Sequence, residues 1–316
     1  MDQLPRITVV IPCYNAERYV AAALRSVEAQ AWPGLEIIVV DDGSTDDSAG
    51  VVARGFPGVR LLRQANQGVA AARNLGLAQA TADWVAMLDA DDLWLPGKLH
   101  AQWQLLQQNP QARMCYTAWR VWHSLAPEPE RSFMAELEVI ATEAGRWQGA
   151  SGWVYPELLR DCVVWTSTVL AHRSVFDEVG GFDPSLRIGE DYDLWLRASR
   201  ATSILRVARP YGLYRMHPDS VTKGAPDRNY KGLVVGRALE RWGYYGPDGR
   251  RASKDQVRQG LARSWSDFAG AHLQAGHLRQ AWEGASTALK FAPTSTLAWA
   301  LLVKTALRAP ARWLKL

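Results

Sequence analysis

Short β-branched runs alternate with helical spacing over the first ninety residues. Ile7 to Ile11 is one such run, closed by Pro12, and Glu36 to Val40 is another, closed by Asp41-Asp42-Gly43. Neither alternates apolar with polar positions, so both read as parallel strands buried on two faces. Between them Tyr19, Ala23, Leu24 and Val27 recur at helical spacing. The segment Asp42 to Asp47 supplies a turn, a cap and acidic first-turn residues for a second helix. Val59 to Leu62 predicts a third strand, Gly68 to Ala80 a third helix and Trp84 to Leu88 a fourth strand. Alternating strand and helix predict an α/β fold with a doubly wound, Rossmann-like half.

Beyond Leu99 the alternation breaks. Arg113 to Trp122 and Val163 to Ala171 predict strands, while Ser124 to Glu130 and Gly145 to Gly152 predict loops. Arg187 to Glu190 leads into Asp191 to Leu196, which predicts a helix with acids in its first turn, and Ile204 to Val207 and Tyr211 to His217 predict two further extended segments. From about Ser253 the chain reads as helical. Gly270 to His277, followed by Ala281, Ala285, Ala288, Leu289 and Pro293, is like one helix-turn-helix unit of the tetratricopeptide type. Leu301 to Leu316 mixes Leu, Val and Trp313 with Lys304, Arg308, Arg312 and Lys315. Such an end fits either an anionic lipid surface or a helix packed back on the body. The boundaries expected are a domain over 1–222, divided at 99, and a helical extension over 223–316.

Composition changes this picture little: 48% hydrophobic and 22% charged residues in 316 are ordinary for a globular protein. Cys13, Cys115 and Cys162 are widely separated and form no C-x-x-C pair, which argues against a disulfide framework or structural zinc. The amino-terminal residues resemble neither a secretory signal nor a spanning helix, so a reducing, cytoplasmic setting is expected. Charge is uneven: the formal net is +4, yet from Arg250 onward basic residues outnumber acids by eight. These basic residues are dispersed among Ala, Leu and Trp, so nucleic acid is not the expected partner.

The candidate chemistry sits where strands end. Trp84 to Trp94 is an apolar run that ends in Asp89, Asp91 and Asp92. Clustered carboxylates raise one another's pKa, a cost that a divalent cation such as Mg2+ or Mn2+ removes. The alternative is a helix start, with Asp92 as its cap. Open α/β sheets bind ligands beyond the carboxyl ends of their strands, and Pro12 to Asn15, Asp41-Asp42 and Asp89 to Asp92 all fall there. No G-x-G-x-x-G follows the first strand and no P-loop is present, which disfavours dinucleotide oxidoreductases and P-loop NTPases.

The ordered blocks VVIPCYNAERYV, EIIVVDDGSTDDS, NQGVAAARNLG, MLDADD, GGFDPSL with GEDYDLWLR, and YRMH resemble family 2 glycosyltransferases of the GT-A fold over roughly residues 5 to 220. The resemblance implies a mixed central sheet and an inverting transfer of sugar from a nucleoside-diphosphate sugar, usually a UDP-sugar. It places Pro12, Tyr14 and Asn15 around the base, Asp41 as an acceptor from the base, and Arg73 near the ribose or diphosphate. Asp42 is assigned mainly to capping the following helix. Asp89-Ala90-Asp91 matches the family's D-x-D signature, with Asp91 on the metal and Asp89 shared between metal and ribose. Asp191 matches the general base, with Glu190 and Asp193 competing for that role or serving the acceptor site. His217 falls where the family places a late metal ligand or phosphate contact, against the alternative of a structural histidine. Trp165 is a candidate platform for an acceptor sugar, alongside Trp153 and Trp195.

The implied acceptor is a carbohydrate, a lipid-linked sugar or a protein in bacterial surface polysaccharide, lipopolysaccharide or glycoprotein assembly. The implied setting is the cytoplasmic face of a membrane, with peripheral contact through the carboxyl-terminal helices. Two rivals are weaker. A nucleotidyltransferase calls for a Gly-rich, basic loop after the first strand, where IPCYNAERYV stands; a non-catalytic scaffold predicts loss of a key acid, yet Asp89, Asp91 and Asp191 are all present.

Overall fold

The computed structural model describes residues 4–123, 126, 128–129, 149–217 and 224–308. Its amino-terminal part runs β1 (Ile7–Cys13), α1 (Val20–Glu28), β2 (Leu35–Asp41), α2 (Ser48–Gly55), β3 (Arg60–Arg63), α3 (Val69–Gln79) and β4 (Trp84–Met87). The middle adds β5 (Leu93–Trp94), α4 (Lys98–Gln107), β6 (Met114–His123), α5 (Tyr155–Leu158), β7 (Leu170–His172), α6 (Arg173–Val179), α7 (Glu190–Ala201) and β8 (Ile204–Met216). Four helices follow: α8 (Tyr230–Trp242), α9 (Lys254–Gln274), α10 (Leu278–Phe291) and α11 (Thr296–Arg308). The chain divides into two compact units, Met1–Val154 with Val163–His217, and Tyr155–Cys162 with Pro218–Leu316.

The first unit is built on an eight-stranded sheet in the order β3-β2-β1-β4-β7-β6-β8-β5. The β3-β2-β1-β4 half is parallel. All seven residues of β1 are buried, because strands flank it on both sides and helices cover its faces. Beyond β4 the sheet becomes mixed: β4 with β7 and β7 with β6 are antiparallel, whereas β6 with β8 is parallel. α3 packs so closely on β1 that a Cβ at Gly76 would fall 2.3 Å from Val10 Cγ1, which fixes that helix over the strand.

Two expectations change in the middle of the chain. Val163 to Ala171 is not one strand: Thr166–Thr168 forms a 3-10 turn and pairing begins at Leu170. The Thr168 hydroxyl donates to Trp165 O at 2.6 Å, so side-chain bonding displaces the ladder that the β-branched run suggested. Conversely, Ile204 to Met216 is continuous across Pro210, since the register steps from Thr117↔Val207 to Ala118↔Pro210 and the irregularity absorbs the missing N–H. The loop expected over 124–130 lies outside the described residues except at 126, 128 and 129, as do 145–148 of the second loop and 309–316 of the carboxyl-terminal segment.

In the second unit the α5 residue Tyr155 is buried and its hydroxyl donates to Ala238 O at 3.1 Å and Gly243 O at 2.8 Å. Ser253 caps α9 by accepting from Gln256 N. α9, α10 and α11 share a small core of Ala269, Leu273, Ala281, Ala285 and Leu301. A Cβ at Gly284 would lie 3.0 Å from Phe268 and Ala269, so small residues set the close approach of α9 and α10.

Candidate functional site

The register places the carboxyl ends of three neighbouring strands side by side. Cys13 pairs with Asp41 and Val10 with Met87, so the loops after β1, β2 and β4 leave one edge together. After β1, Asn15 adopts φ +48°, a left-handed conformation that Asn tolerates. Its Oδ1 accepts from Thr45 N at 2.8 Å and its N–H donates to the Ser44 hydroxyl at 3.0 Å, tying this loop to the one after β2. Pro12 is buried in β1, whereas Tyr14 is half exposed. Asp41 accepts from Ser44 N at 3.2 Å. Asp42 does not cap α2: it accepts from Gln64 Nε2, Gln67 N and Gly68 N at 2.7, 2.9 and 2.8 Å, and so holds the entrance to α3.

Arg73 lies one turn before Gly76, and the close packing of α3 on β1 carries its guanidinium to the end of β4. There it is buried, with one nitrogen 2.7 Å from Asp89 Oδ1 and another 2.6 Å from Glu190 Oε1. The ring of Phe182 lies under it, with the guanidinium carbon 5.1 Å from the centroid. Arg73, expected near the ribose or diphosphate, is in contact with two carboxylates. Burial pushes the Glu190 carboxyl up to about 7, reinforced by the neighbouring Asp191 charge and opposed by Arg73. Asp89 is raised as well, by burial first and Asp91 next among the raising causes, with Arg73 again opposing.

Asp91 and Asp92 diverge, as adjacent residues on a turn do. Asp91 Oδ2 stands 3.0 Å from His217 Nε2, and a third of its side chain is exposed. The His217 ring lies 4.9 Å from that of Tyr19. Asp92 is buried and does not cap α4, whose N-cap is Gly97. Instead it accepts from the Ser167 hydroxyl at 2.6 Å and from Arg215 N at 3.0 Å. Its carboxyl is held well above the usual range, by burial first and then by the charges of Asp91 and Asp89. Arg215, fully buried between the rings of Tyr19 and Trp122, donates from Nε to Asp91 O at 2.7 Å and fixes the turn from behind.

Asp191 occupies the first turn of α7, after Gly189 at φ +80°, where the helix dipole stabilises negative charge. Its Oδ1 accepts from Tyr192 N at 2.7 Å and its Oδ2 from the Thr166 hydroxyl at 2.9 Å. Its charge acts on both Arg73 and Asp89. Asp193 is taken up by Arg197 at 2.7 Å, whose guanidinium also donates from Nη1 to the carbonyls of Val179 and Gly180 and from Nη2 to that of Gly181. Trp165 is half-buried between Trp119 and Tyr214, with centroids at 5.8 and 5.2 Å, and a Cβ at Gly212 would fall 2.9 Å from its ring. Trp195 is fully buried. Arg215, Thr166 and Ser167 were not singled out by the sequence. Arg215 had a signal, since it shares the parity of buried Leu213 in β8 and of His217 just past its end.

Among the described residues no group of three or more His, Cys, Asp or Glu side chains is arranged to hold an ion by itself. The donor set of Asp91 with His217 nevertheless suits a hard or borderline divalent ion that takes its remaining ligands from phosphate oxygens, the usual arrangement for Mg2+ at phosphate sites.

Comparison with known proteins places this geometry in a family. The model for glycosyl transferase family 2 matches residues 8–140, and that for glycosyl transferase family group 2 matches residues 84–307. An uncharacterized glycosyltransferase of Rickettsia conorii is 28% identical over 231 residues, which is 72% of this chain and 36% of the relative. The uncharacterized glycosyltransferase YibD of Escherichia coli is 35% identical over 142 residues, 42% of this chain and 41% of the relative. The chain therefore spans well under half the length of these curated relatives. Among solved structures, S. aureus TarS 1-349 in complex with UDP-GlcNAc superposes with a TM-score of 0.64 at 16% identity, covering 96% of this chain and 88% of that one. Its complex with UDP superposes at 0.61 and 17% identity. At such identities the likeness speaks for the fold, which is GT-A with a helical carboxyl-terminal region. On the match of the family model to residues 84–307, more than half its length, the chain belongs to the family 2 glycosyltransferases.

Proposed function

We propose that this protein is an inverting glycosyltransferase that moves a sugar from a nucleoside-diphosphate sugar, a UDP-sugar in the first instance, to an acceptor hydroxyl. The observation that carries this reading is the convergence of Asp89, Asp91, Arg73, Glu190 and Asp191 at one sheet edge, with cation and carboxylates in direct contact. The structural neighbour solved with UDP-GlcNAc supports the choice of donor.

In this reading the domain boundary falls near residue 222, with residues 1–99 binding donor and 100–222 acceptor. The base rests on the loop of Pro12, Tyr14 and Asn15, with Asp41 accepting from a pyrimidine imide. Asp89 accepts from the ribose, and Arg73 acts through Asp89 by holding it in place. Asp91 and His217, with Asp89 shared between ion and ribose, would hold Mn2+ or Mg2+, which would supply positive charge to the diphosphate. Asp191 takes the proton of the acceptor hydroxyl as that oxygen attacks the anomeric carbon from the face opposite the nucleotide. Trp165 offers a ring face to an acceptor sugar, and Glu190 keeps Asp191 and Arg73 in register. Positioning supplies a large share of the acceleration.

The carboxyl-terminal helices support a second element, contact with an anionic membrane surface on the cytoplasmic side in cell-envelope polysaccharide assembly. α11 turns Ala298, Leu301 and Thr305 inward and leaves Leu297, Trp299, Val303 and Leu307 exposed beside Lys304. No helix among the described residues is long and apolar enough to cross a membrane. Sedimentation with phosphatidylglycerol vesicles, and not with phosphatidylcholine vesicles, is the expected result, lost in Val303→Glu.

Calorimetry with UDP-glucose, UDP-galactose, UDP-GlcNAc and GDP-mannose, each with and without Mn2+, tests the donor reading. At least one UDP-sugar is expected to bind more tightly with Mn2+. Binding of none of the four under either condition removes the proposal.

A further inference from the structure

The Thr166–Thr168 turn lies under both carboxylate groups of the site. All three residues are buried, and the turn is anchored from behind: Trp94 Nε1 donates to Ser167 O at 2.6 Å and Gln102 Nε2 to Thr168 O at 2.9 Å. Two of its hydroxyls point away from this anchorage. Ser167 Oγ accepts from Asp89 N at 3.0 Å and donates to Asp92 at 2.6 Å, so it braces the turn that carries the D-x-D acids. Thr166 Oγ1 donates to Asp191 Oδ2 at 2.9 Å. A single three-residue turn therefore touches the donor side and the base, which lie 75 and 25 residues away along the chain. The charged route from Asp89 through Arg73 to Glu190 runs in parallel with it.

Thr168 shows what Thr166 gives up. The Thr168 hydroxyl bonds within the turn, to Trp165 O at 2.6 Å, the local arrangement common for Ser and Thr. The Thr166 hydroxyl is directed outside, onto a side chain of another element. Asp191 Oδ1 is already tied to the Tyr192 N–H of its own helix, so the bond from Thr166 is what fixes the rotation of the carboxylate about its last torsion. At 1% exposure Thr166 does not reach an acceptor itself.

We propose that Thr166 is a positioning residue, which orients the Asp191 carboxylate toward the acceptor hydroxyl while Ser167 in the same turn sets the D-x-D acids. The inference rests on Asp191 being the base. Its consequence is a division of labour within one turn, in which Thr166 governs turnover and Ser167 governs donor binding.

The test compares Thr166→Val, Thr166→Ser and Ser167→Ala, with release of the nucleoside diphosphate followed for whichever sugar of the four-donor panel turns over fastest. Thr166→Val keeps the volume and removes the donor; kcat is expected to fall about 10- to 100-fold, with donor KM and calorimetric affinity within about twofold, since small misplacements of a reacting group cost that much. Thr166→Ser is expected to restore kcat to within about threefold, whereas Ser167→Ala raises donor KM. If Thr166→Val does not fold, Thr166→Ala, which only removes atoms, is read the same way. Full kcat without the hydroxyl, a loss of donor affinity that parallels kcat, or failure of Ser to rescue each overturns the inference. Asp191→Asn assayed alongside separates the two readings. If it abolishes turnover while Thr166→Val does not, only the role of Thr166 fails; if it turns over normally, the base assignment fails first.

Discussion

The ends of β2 and β4 carry similar acids at the same sheet edge, yet they meet different partners. Asp41 and Asp42 are buried and accept from neutral N–H groups, one from Ser44 and three from the segment Gln64 to Gly68. Asp89 and Asp91 face cationic or ionisable groups, Arg73 and His217, and both keep part of their side chains exposed. Asp42, satisfied by three fixed donors, holds a loop in shape, while Asp41, with one amide donor, keeps acceptor capacity for a nucleobase. Acids that share a partly open edge with Arg and His can exchange partners with an incoming phosphate or ion. Position on the sheet selects the region where ligands bind, and the partner chemistry decides which acids act there.

Several variants sharpen or break this contrast. Asp191→Asn carries the largest expected effect, a fall of about 10^2- to 10^4-fold in kcat with donor affinity retained, measured by UDP release and calorimetry. Arg73→Met strands two carboxylates at the β4 end, Glu190 buried and Asp89 largely so; unfolding in urea is expected to show a loss of about 3–5 kcal/mol, the usual cost of breaking a buried pair. At the β2 end the expected losses are smaller. Asp42→Ala removes the acceptor for three donors and should cost about 1–3 kcal/mol, more than Asp41→Ala, which removes one. Equal losses from the two would erase the distinction between them.

The last variant concerns the support beneath the β4 turn. Lys98 is fully buried, with Nζ 3.9 Å from the Trp94 ring centroid and 2.8 Å from Gln102 Oε1. Burial lowers its ammonium from the usual 10.5 to about 7. Between these values the unfolded chain binds a proton that the folded chain has released, so stability gains from this group as pH rises from about 7 to 10.5 and the gain is absent below. Lys98→Met should flatten that slope, which for one proton is about 1.4 kcal/mol per pH unit. An unchanged slope in urea titrations from pH 7 to 10 would contradict it.

The parallel half of the sheet was legible because its signals are local. β-branched runs buried on both faces give strands, and Pro12 and Asp41-Asp42 mark their ends. The acids of the edge were legible for the same reason, and the family pattern suggested roles for them. The partners were not. Thr166 and Ser167 lie in VVWTSTV, whose β-branching suggested a strand, and only the fold brings them to acids far away in sequence. Arg215 hid among surface-like basic residues, although its parity along β8 pointed inward. Arg73 stood out in NQGVAAARN, yet its partner Glu190 is 117 residues distant.

In the proposed reading Asp91, with His217, makes donor binding at the β4 end depend on a divalent ion. Titration of UDP into the protein with 5 mM Mn2+ and with chelator, in wild type and Asp91→Asn, tests it directly, the concentration being on the order of that needed to saturate a weak site. Mn2+ is expected to tighten UDP binding to wild type about tenfold or more and to leave Asp91→Asn at its metal-free affinity. Equal tightening in both proteins would contradict it.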